Sequence, residues 1–355
     1  MMTLLTVIAV FLVLLVIGQV LRVYEISAKL RGRKVYEVTR KEGKVNAYLM
    51  LLFLVFYAGF FIWQMNKWGK FMLPEPASEH GVITDNLFLT TWWIIIPVGV
   101  ITHIVLFYFA FKYVYNENRR ADFFAHSNKL ELIWTVVPTI VLTILILYGL
   151  NVWNALMKPL TDDVDHIKME IYSKQFDWTA RYSGEDNKLG YANVNFIEGA
   201  NALGMDIRDE NGHDDIIVKG EFHLPVNVPV QFNFRSQDVI HSAYMPHFRA
   251  QMNCVPGMTT RFKFTPTITT AEMKLRTNNP DFNYILLCNK ICGAAHFNMQ
   301  MNIIVESQEE YDKWMAEQKP FLDKSADEVE TEIEATSTES IEAVVVETES
   351  VEEDN

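Results

Sequence analysis

Four apolar runs limit what this chain can become. They fall at 4–21, 47–63, 92–111 and 132–152. Each is about as long as a hydrocarbon core of roughly 30 Å requires at about 1.5 Å of rise per helical residue. Helices buried in a soluble core are the alternative. Trp63, Trp92, Trp93 and Trp153 stand at the ends of the runs. They favour membrane spans, because amphipathic rings settle at the lipid–water interface. The first run has the length of a secretory leader. However, it lacks a basic start and an Ala-x-Ala-like exit, and Arg22 follows it directly. It is expected to stay as a helix. The transmembrane region is therefore placed at 1–158.

Charge sets the orientation. Segment 22–46 holds eight Lys or Arg, 64–91 holds only Lys67 and Lys70, and 112–129 holds four. Basic loops remain on the cytoplasmic side. The first and third connections are thus inside, and everything after Trp153 emerges outside. The net charge of −13 does not describe the body of the protein. From Phe321 onward there are thirteen acids and one Lys, so the rest is close to neutral. That tail, 319–355, is acidic, Thr/Ser-rich and poor in aromatics, and is expected to be disordered.

Beyond a polar link at 161–166 the pattern changes to strands. Segments 167–171, 175–182, 226–234, 260–264, 272–275, 283–287 and 299–305 are read as strands. In the third, Val226, Val228, Val230, Phe232 and Phe234 share one face. Short strands joined by turns suggest a Greek-key sandwich or barrel over 164–308. A polar stretch at 183–215 is read as an insertion. Asp209-Glu-Asn-Gly212-His-Asp-Asp hints at a calcium loop, yet the alternating ligands of an EF-hand are missing, so a plain turn is expected. A final amphipathic helix is placed at 309–318, ended by Lys319-Pro320. The fold class is thus four transmembrane helices followed by an all-β domain.

The chemistry is concentrated in Cys288-Asn-Lys-Ile-Cys292-Gly-Ala-Ala-His296-Phe-Asn-Met299. Two thiols, an imidazole and a thioether are soft and borderline ligands, suited to copper rather than calcium or magnesium. A mononuclear blue-copper site needs one Cys. A second sulfur lets thiolates bridge a metal pair, so the spacing points to a dinuclear centre. A further imidazole must come from elsewhere, and Asp238-Val-Ile-His241-Ser242 offers it at the end of the strand-like run 228–234. A Cys288–Cys292 disulfide closes a very short loop, stabilises little and leaves His296 and Met299 unexplained. Structural zinc has little use for Met. Cys254, the third cysteine, has no ligand-type neighbours and is read as a packed thiol.

These residues resemble subunit II of haem-copper cytochrome c oxidases. In that family the loop reads Cys-x-Glu-x-Cys-Gly-x-x-His-x-x-Met, after an upstream Asp-Val-x-His-Ser. The match is at Asp238, Val239, His241, Ser242, Cys288, Cys292, Gly293, His296 and Met299. The resemblance implies a cupredoxin fold and a dinuclear copper (CuA) centre. Cys288 and Cys292 would bridge both coppers, His241 and His296 would bind one each, Met299 would be a weak ligand, and Lys290 would ligate through its backbone carbonyl. The family has Glu at 290. Its carboxylate also reaches a magnesium at the subunit I boundary, so Lys290 puts that magnesium in doubt. A second match is Glu131-Leu-Ile-Trp134-Thr135-Val-Val-Pro138, where the family's Glu opens a proton path into subunit I. An acid in a first helical turn is also favoured by the helix dipole alone. The family's Gln-Trp-x-Trp electron-entry segment is here Gln175-Phe176-Asp177-Trp178. Phe176 and Trp178 are entry candidates, with barrel packing as the plain alternative. His103, in mid-span, is read as a helix-contact residue.

The resemblance implies an electron-entry subunit in a bacterial inner membrane, with its copper domain on the periplasmic side. Cytochrome c or a similar donor would feed it. It would deliver electrons to haem in subunit I, where oxygen reduction is coupled to proton translocation. Its partners would be the other oxidase subunits and the bilayer, with no nucleic acid. No Cys-x-x-Cys-His is present, so no c-type haem is fused to the chain. The alternatives are a copper-binding or copper-delivery membrane protein, or a CuA carrier of another respiratory system. The family usually has a two-helix hairpin, matched by the third and fourth spans; the first two are an extension without an assigned role.

Overall fold

The computed structural model describes residues 2–32, 39–116, 118–161 and 163–321. It has two compact units: Met1–Met72 with Trp92–Val136, and Leu73–Thr91 with Val137–Asn355. The tail beyond residue 321 lies outside the described residues.

The four apolar runs form the centres of four helices: α1 (Met2–Leu30), α2 (Arg40–Trp68), α3 (Glu79–Lys112) and α4 (Asn128–Met157). All four are long and apolar enough to cross a membrane. Each continues beyond its apolar run because local interactions carry on where lipid ends. In α1 the last turns hold a Glu25–Lys29 pair at 2.7 Å, four residues apart. At the start of α2, Thr39 and Glu42 form a reciprocal capping box. Helices α2 and α3 meet through a ladder of rings: Tyr48 on Phe111 (5.2 Å), Phe53 on Phe107 (6.1 Å) and Tyr57 on His103 (5.7 Å). His103 is thus a helix-contact residue, and its Nδ1 also lies 2.7 Å from the Gly99 carbonyl.

The second unit is a β-sandwich. Strands β1 (Ile167–Lys174), β2 (Asp177–Tyr182), β3 (Ile216–Lys219), β5 (Val230–Ser236) and β8 (Thr260–Phe264) form one sheet in the order β3-β2-β1-β5-β8. Strands β4 (Glu221–Pro225), β6 (His241–Met245), β7 (Ala250–Cys254), β9 (Tyr284–Cys288) and β10 (Gln300–Glu306) form the other, ordered β4-β10-β9-β6-β7. The pairs β1/β5 and β4/β10 are parallel and the remaining pairs antiparallel. Inward-facing Val230, Phe232 and Phe234 alternate with half-exposed neighbours along β5, as the period of a strand requires. They meet Phe222, Leu224, Tyr284, Leu286 and Ile303 from the facing sheet in one core. This is the cupredoxin-like all-β domain expected after the helices.

Three expectations are corrected. The run 226–234 is not one strand. Pro225 ends β4, Asn227 takes a φ of +63°, and Pro229 has no N–H to pair, so the ladder starts at Val230. His241 opens its own strand, β6, instead of closing the preceding one. The segment 272–275 is helical, inside α5 (Thr270–Thr277). Thr269 caps its N-terminus by accepting from the Glu272 N–H, Glu272 pairs with Arg276 one turn on, and Asn278 closes the helix at φ +51°.

Segment 73–91, which reads as a simple connection, is part of the β unit. Ala77 is fully buried in the sandwich core; its N–H donates to the His247 carbonyl (2.7 Å) and its C=O accepts from the Thr267 N–H (2.9 Å). Arg249 binds Asp85 through two nitrogens, at 2.8 and 2.9 Å. The insertion at 183–215 is tied down by buried charge. Arg181 reaches Glu170 (3.0 Å), Asp215 (2.9 Å) and the Gly190 carbonyl (2.9 Å). Arg235 holds the carbonyls of Ala192 and Leu203. Within the insertion, Asp209 accepts from the N–H groups of Tyr191 and Asn211, which makes it a turn. Helix α6 (Gln308–Ala316) follows Ser307 and stacks Trp314 on His223 at 4.0 Å. The chain stays docked beyond 319: Pro320 bridges to Ile216 and Phe321 is buried.

Candidate metal centre

The thiol segment joins β9 to β10, and the two strands fix its ends. The Cys288 N–H donates to the Met299 carbonyl (3.1 Å), closing the loop at its neck. The Asn289 N–H donates to the Ser242 carbonyl (2.9 Å), tying the loop to β6 beside His241. Ala243 pairs with Cys288 across the β6/β9 ladder, which sets His241 against the first thiol.

His241, Cys288 and Cys292 bring one ligand atom each within 4.8 Å of one another. Cys288 Sγ lies 3.9 Å from Cys292 Sγ and 3.8 Å from His241 Nδ1. Cys292 Sγ lies 3.6 Å from His296 Nδ1 and 3.8 Å from Met299 Sδ. The Lys290 carbonyl is 3.2 Å from Cys288 Sγ, while its side chain is exposed. The two sulfurs are far beyond the roughly 2 Å of a disulfide, and both thiols are free. Cys254 is a buried, free thiol as expected.

The candidate donors range from half-buried (Cys288 and His296) to fully buried. His241 is fully buried, and Met299 and Cys292 nearly so. Burial, and then the neighbouring Cys288 thiol, push Cys292 up to about 11. A bound cation reverses that balance, because it stabilises the thiolate that ligates it. The His241 Nε2 lies 2.8 Å from Asp238 Oδ1. With that nitrogen donating to the carboxylate, Nδ1 keeps its lone pair towards the sulfurs. Burial alone would raise the Asp238 carboxyl. The Gln175 N–H, His241 and the Val239 N–H outweigh it and hold the group below its ordinary range. The set of two thiols, two imidazoles and a thioether fits copper by softness and suits neither magnesium nor calcium.

A second layer braces the loop. The Gln175 side-chain amide donates to the Cys292 carbonyl, and the Gln175 N–H donates to Asp238 Oδ2 (2.7 Å). The Trp178 Nε1–H points at the Met299 carbonyl (3.4 Å), with the ring 6.2 Å from that of His241. Gly293, at φ +146°, lets the loop pass beneath Phe176; a Cβ there would come within 2.8 Å of the ring. Of the two entry candidates, only Phe176 is partly exposed. Trp178 is 1% exposed and braces the loop from within. Glu131 is exposed in the first turn of α4. Asp238 and Gln175 carried no predicted role. The three-residue spacing between Asp238 and His241 was the available signal.

The chain is similar to known proteins over both of its parts. Residues 63–152 match the transmembrane domain of cytochrome c oxidase subunit II, and 167–308 match its periplasmic domain. The alternative cytochrome c oxidase subunit 2 of Bradyrhizobium diazoefficiens is 35% identical over 248 residues, covering 69% of this chain and 83% of that protein. Cytochrome c oxidase subunit 2 of Synechocystis is 25% identical over 269 residues, covering 70% and 76%. The crystal structure of the subunit II (CoxB) periplasmic domain from Bradyrhizobium japonicum covers 44% of this chain and 94% of its own, at 20% identity and a TM-score of 0.30. With its membrane helices and periplasmic β domain, the chain belongs to the cytochrome c oxidase subunit II family, the electron-entry subunits of haem-copper oxidases.

Proposed function

We propose that the chain accepts electrons from cytochrome c or a similar donor at a dinuclear CuA centre and passes them to haem in subunit I. The observation that carries this reading is the sulfur pair, 3.9 Å apart and flanked on either side by an imidazole nitrogen within 4 Å. When bound, a copper pair would supply one-electron transfer with its charge shared between the two metals. Cys288 and Cys292 would bridge it, His241 and His296 would each hold one metal, Met299 would be the weak ligand, and the Lys290 carbonyl would complete the set. Lys290 has no carboxylate to give a magnesium.

The protein's part is to keep these donors still. Asp238 fixes the His241 tautomer, Gln175 and Trp178 hold loop carbonyls, and β6, β9 and β10 anchor both ends. Burial of His241, Cys292 and Met299 argues against an exchangeable delivery site. Phe176 is the proposed contact for the donor, and Glu131 the proposed proton entry towards subunit I. The placement is a bacterial inner membrane, multi-pass, with the β domain periplasmic.

The test is metal counting together with electron paramagnetic resonance on the purified oxidase. Two coppers per chain, with a spectrum of one electron shared between two copper nuclei, are expected at this site. Cys288→Ser and Cys292→Ser should each abolish that signal. One copper per chain, or wild-type spectra in both variants, overturns the reading.

A further inference from the structure

The first helical unit holds a pocket of its own, remote in sequence from the thiol loop. It opens between the start of α2 and the end of α3 and has a volume of about 200 Å³. Arg40 and Lys44, one turn apart on α2, line one wall. Arg119 lines the other. The Tyr48–Phe111 contact and the buried Ala47 close the floor. Gly43 allows the close approach, since a Cβ there would meet Val114 Cγ1 at 2.8 Å.

Among the described residues, no carboxylate forms an ion pair with Arg40, Lys44 or Arg119. The Lys112 ammonium is turned onto the rings of Tyr108 and Tyr113 instead. Arg119 is held in place by two carbonyls at the end of α3, those of Lys112 (3.2 Å) and Val114 (2.9 Å). A guanidinium offers five N–H donors, so others remain for a ligand. The distribution of basic residues puts this end of both helices at the cytoplasmic surface of the bilayer. Tyr48 and Tyr115 in the lining are the ring type that settles at the headgroup level.

We propose that this pocket binds the phosphate of an anionic phospholipid headgroup from the cytoplasmic leaflet. Three cations lining one pocket match a phosphodiester, with Arg supplying directional donors and Lys a point charge. A basic pocket between helices on this side of a membrane is the setting in which such headgroups are held. One wall, Arg40 to Tyr48, precedes residue 63, where the match to the family's transmembrane domain begins. The extension would then have a role: α2 brings half of a lipid site to the family's own helix α3.

The experiment uses the whole purified oxidase in phosphatidylcholine vesicles doped with spin-labelled phosphatidylglycerol. The motionally restricted lipid fraction is read by electron paramagnetic resonance. The wild type should prefer phosphatidylglycerol over phosphatidylcholine. Arg40→Gln, Lys44→Gln and Arg119→Gln should each lower that preference roughly fivefold. Lys41→Gln with Arg120→Gln removes two exposed charges that do not line the pocket, and should change it little. The haem spectrum of each variant checks that the complex has assembled. An equal loss in the Lys41/Arg120 control, or no preference in the wild type, overturns the proposal. Full competition by inorganic phosphate would show that the pocket takes a soluble anion, which overturns the lipid assignment.

Discussion

Gly293→Ala should loosen the thiol loop without removing a single metal donor. Two costs add. At φ +146° an L side chain is strained, by about 1–3 kcal/mol for such sparsely populated backbone. The new Cβ also meets Phe176 Cζ at 2.8 Å and Gln175 Nε2 at 2.8 Å. Ordinary carbon contacts lie near 3.5–4.0 Å. The Phe176 ring must therefore rotate away from its preferred angle, at about 0.5–1.5 kcal/mol. The sum is roughly 1.5–4.5 kcal/mol, which at about 1.4 kcal/mol per decade makes loop opening at least about tenfold more frequent. Hydrogen exchange with mass spectrometry on the intact complex reads this directly. The reporting amides are Cys288, bonded to the Met299 carbonyl, and Asn289, bonded to the Ser242 carbonyl. Adding Phe176→Leu should recover the ring's share, at least about twofold, and leave the backbone share. Exchange unchanged in Gly293→Ala, or strictly additive effects in the double variant, would refute the assignment of Gly293 as the place where the loop passes under the ring.

Asp238→Asn should weaken copper binding about 10- to 100-fold, the usual effect of losing an outer hydrogen-bond partner of a ligating imidazole, measured by competition with a chelator. Met299→Leu should leave copper bound and shift its reduction potential, read by redox titration; complete loss of metal would contradict a weak-ligand role. His247 packs edge-on to Phe282 and Tyr284. Burial, then the Arg249 charge, hold its imidazole down to about 4 from an ordinary 6.5. Between those values the unfolded chain binds the proton and the folded chain does not, so this stability is present above pH 6.5 and lost as pH falls towards 4. At about 1.4 kcal/mol per unit the shift corresponds to about 3.5 kcal/mol, and water around this half-exposed ring screens the effect to well below that figure. His247→Phe should flatten the fall in thermal midpoint across that window; an unchanged slope would show that His247 is not its source.

The four spans were legible because a run of apolar residues long enough to cross lipid needs no tertiary context to be recognised. The cluster of thiols, imidazole and thioether was legible for a similar reason: two Cys, a His and a Met on one short loop carry their chemistry wherever the loop lies. Context decided the rest. Glu272-Met-Lys-Leu alternates like a strand, yet Thr269 and Asn278 cap it as a helix and only Met273 of the four is buried. The Val226 and Val228 side chains fit the alternation of β5, but the prolines on either side keep them out of its ladder. Gln175 and Asp238 are 63 residues apart and meet only because the sandwich folds β1 against β5. Nothing local marks Gln175 as a brace for Cys292. The burial of Ala77 was invisible too, because its partners, His247 and Thr267, lie far along the chain.

That last contact bears on how the protein is made. Synthesis delivers Ala77 and its neighbours across the membrane before any strand of the sandwich exists. They must wait, solvent-exposed, while two more helices are inserted and the β domain is translated. A fragment beginning after α4 would lack this plug and leave the His247 carbonyl and the Thr267 N–H without their partners. The outer domain is therefore stitched from two stretches of polypeptide separated by the lipid, and its completion depends on the helices between them having been threaded correctly.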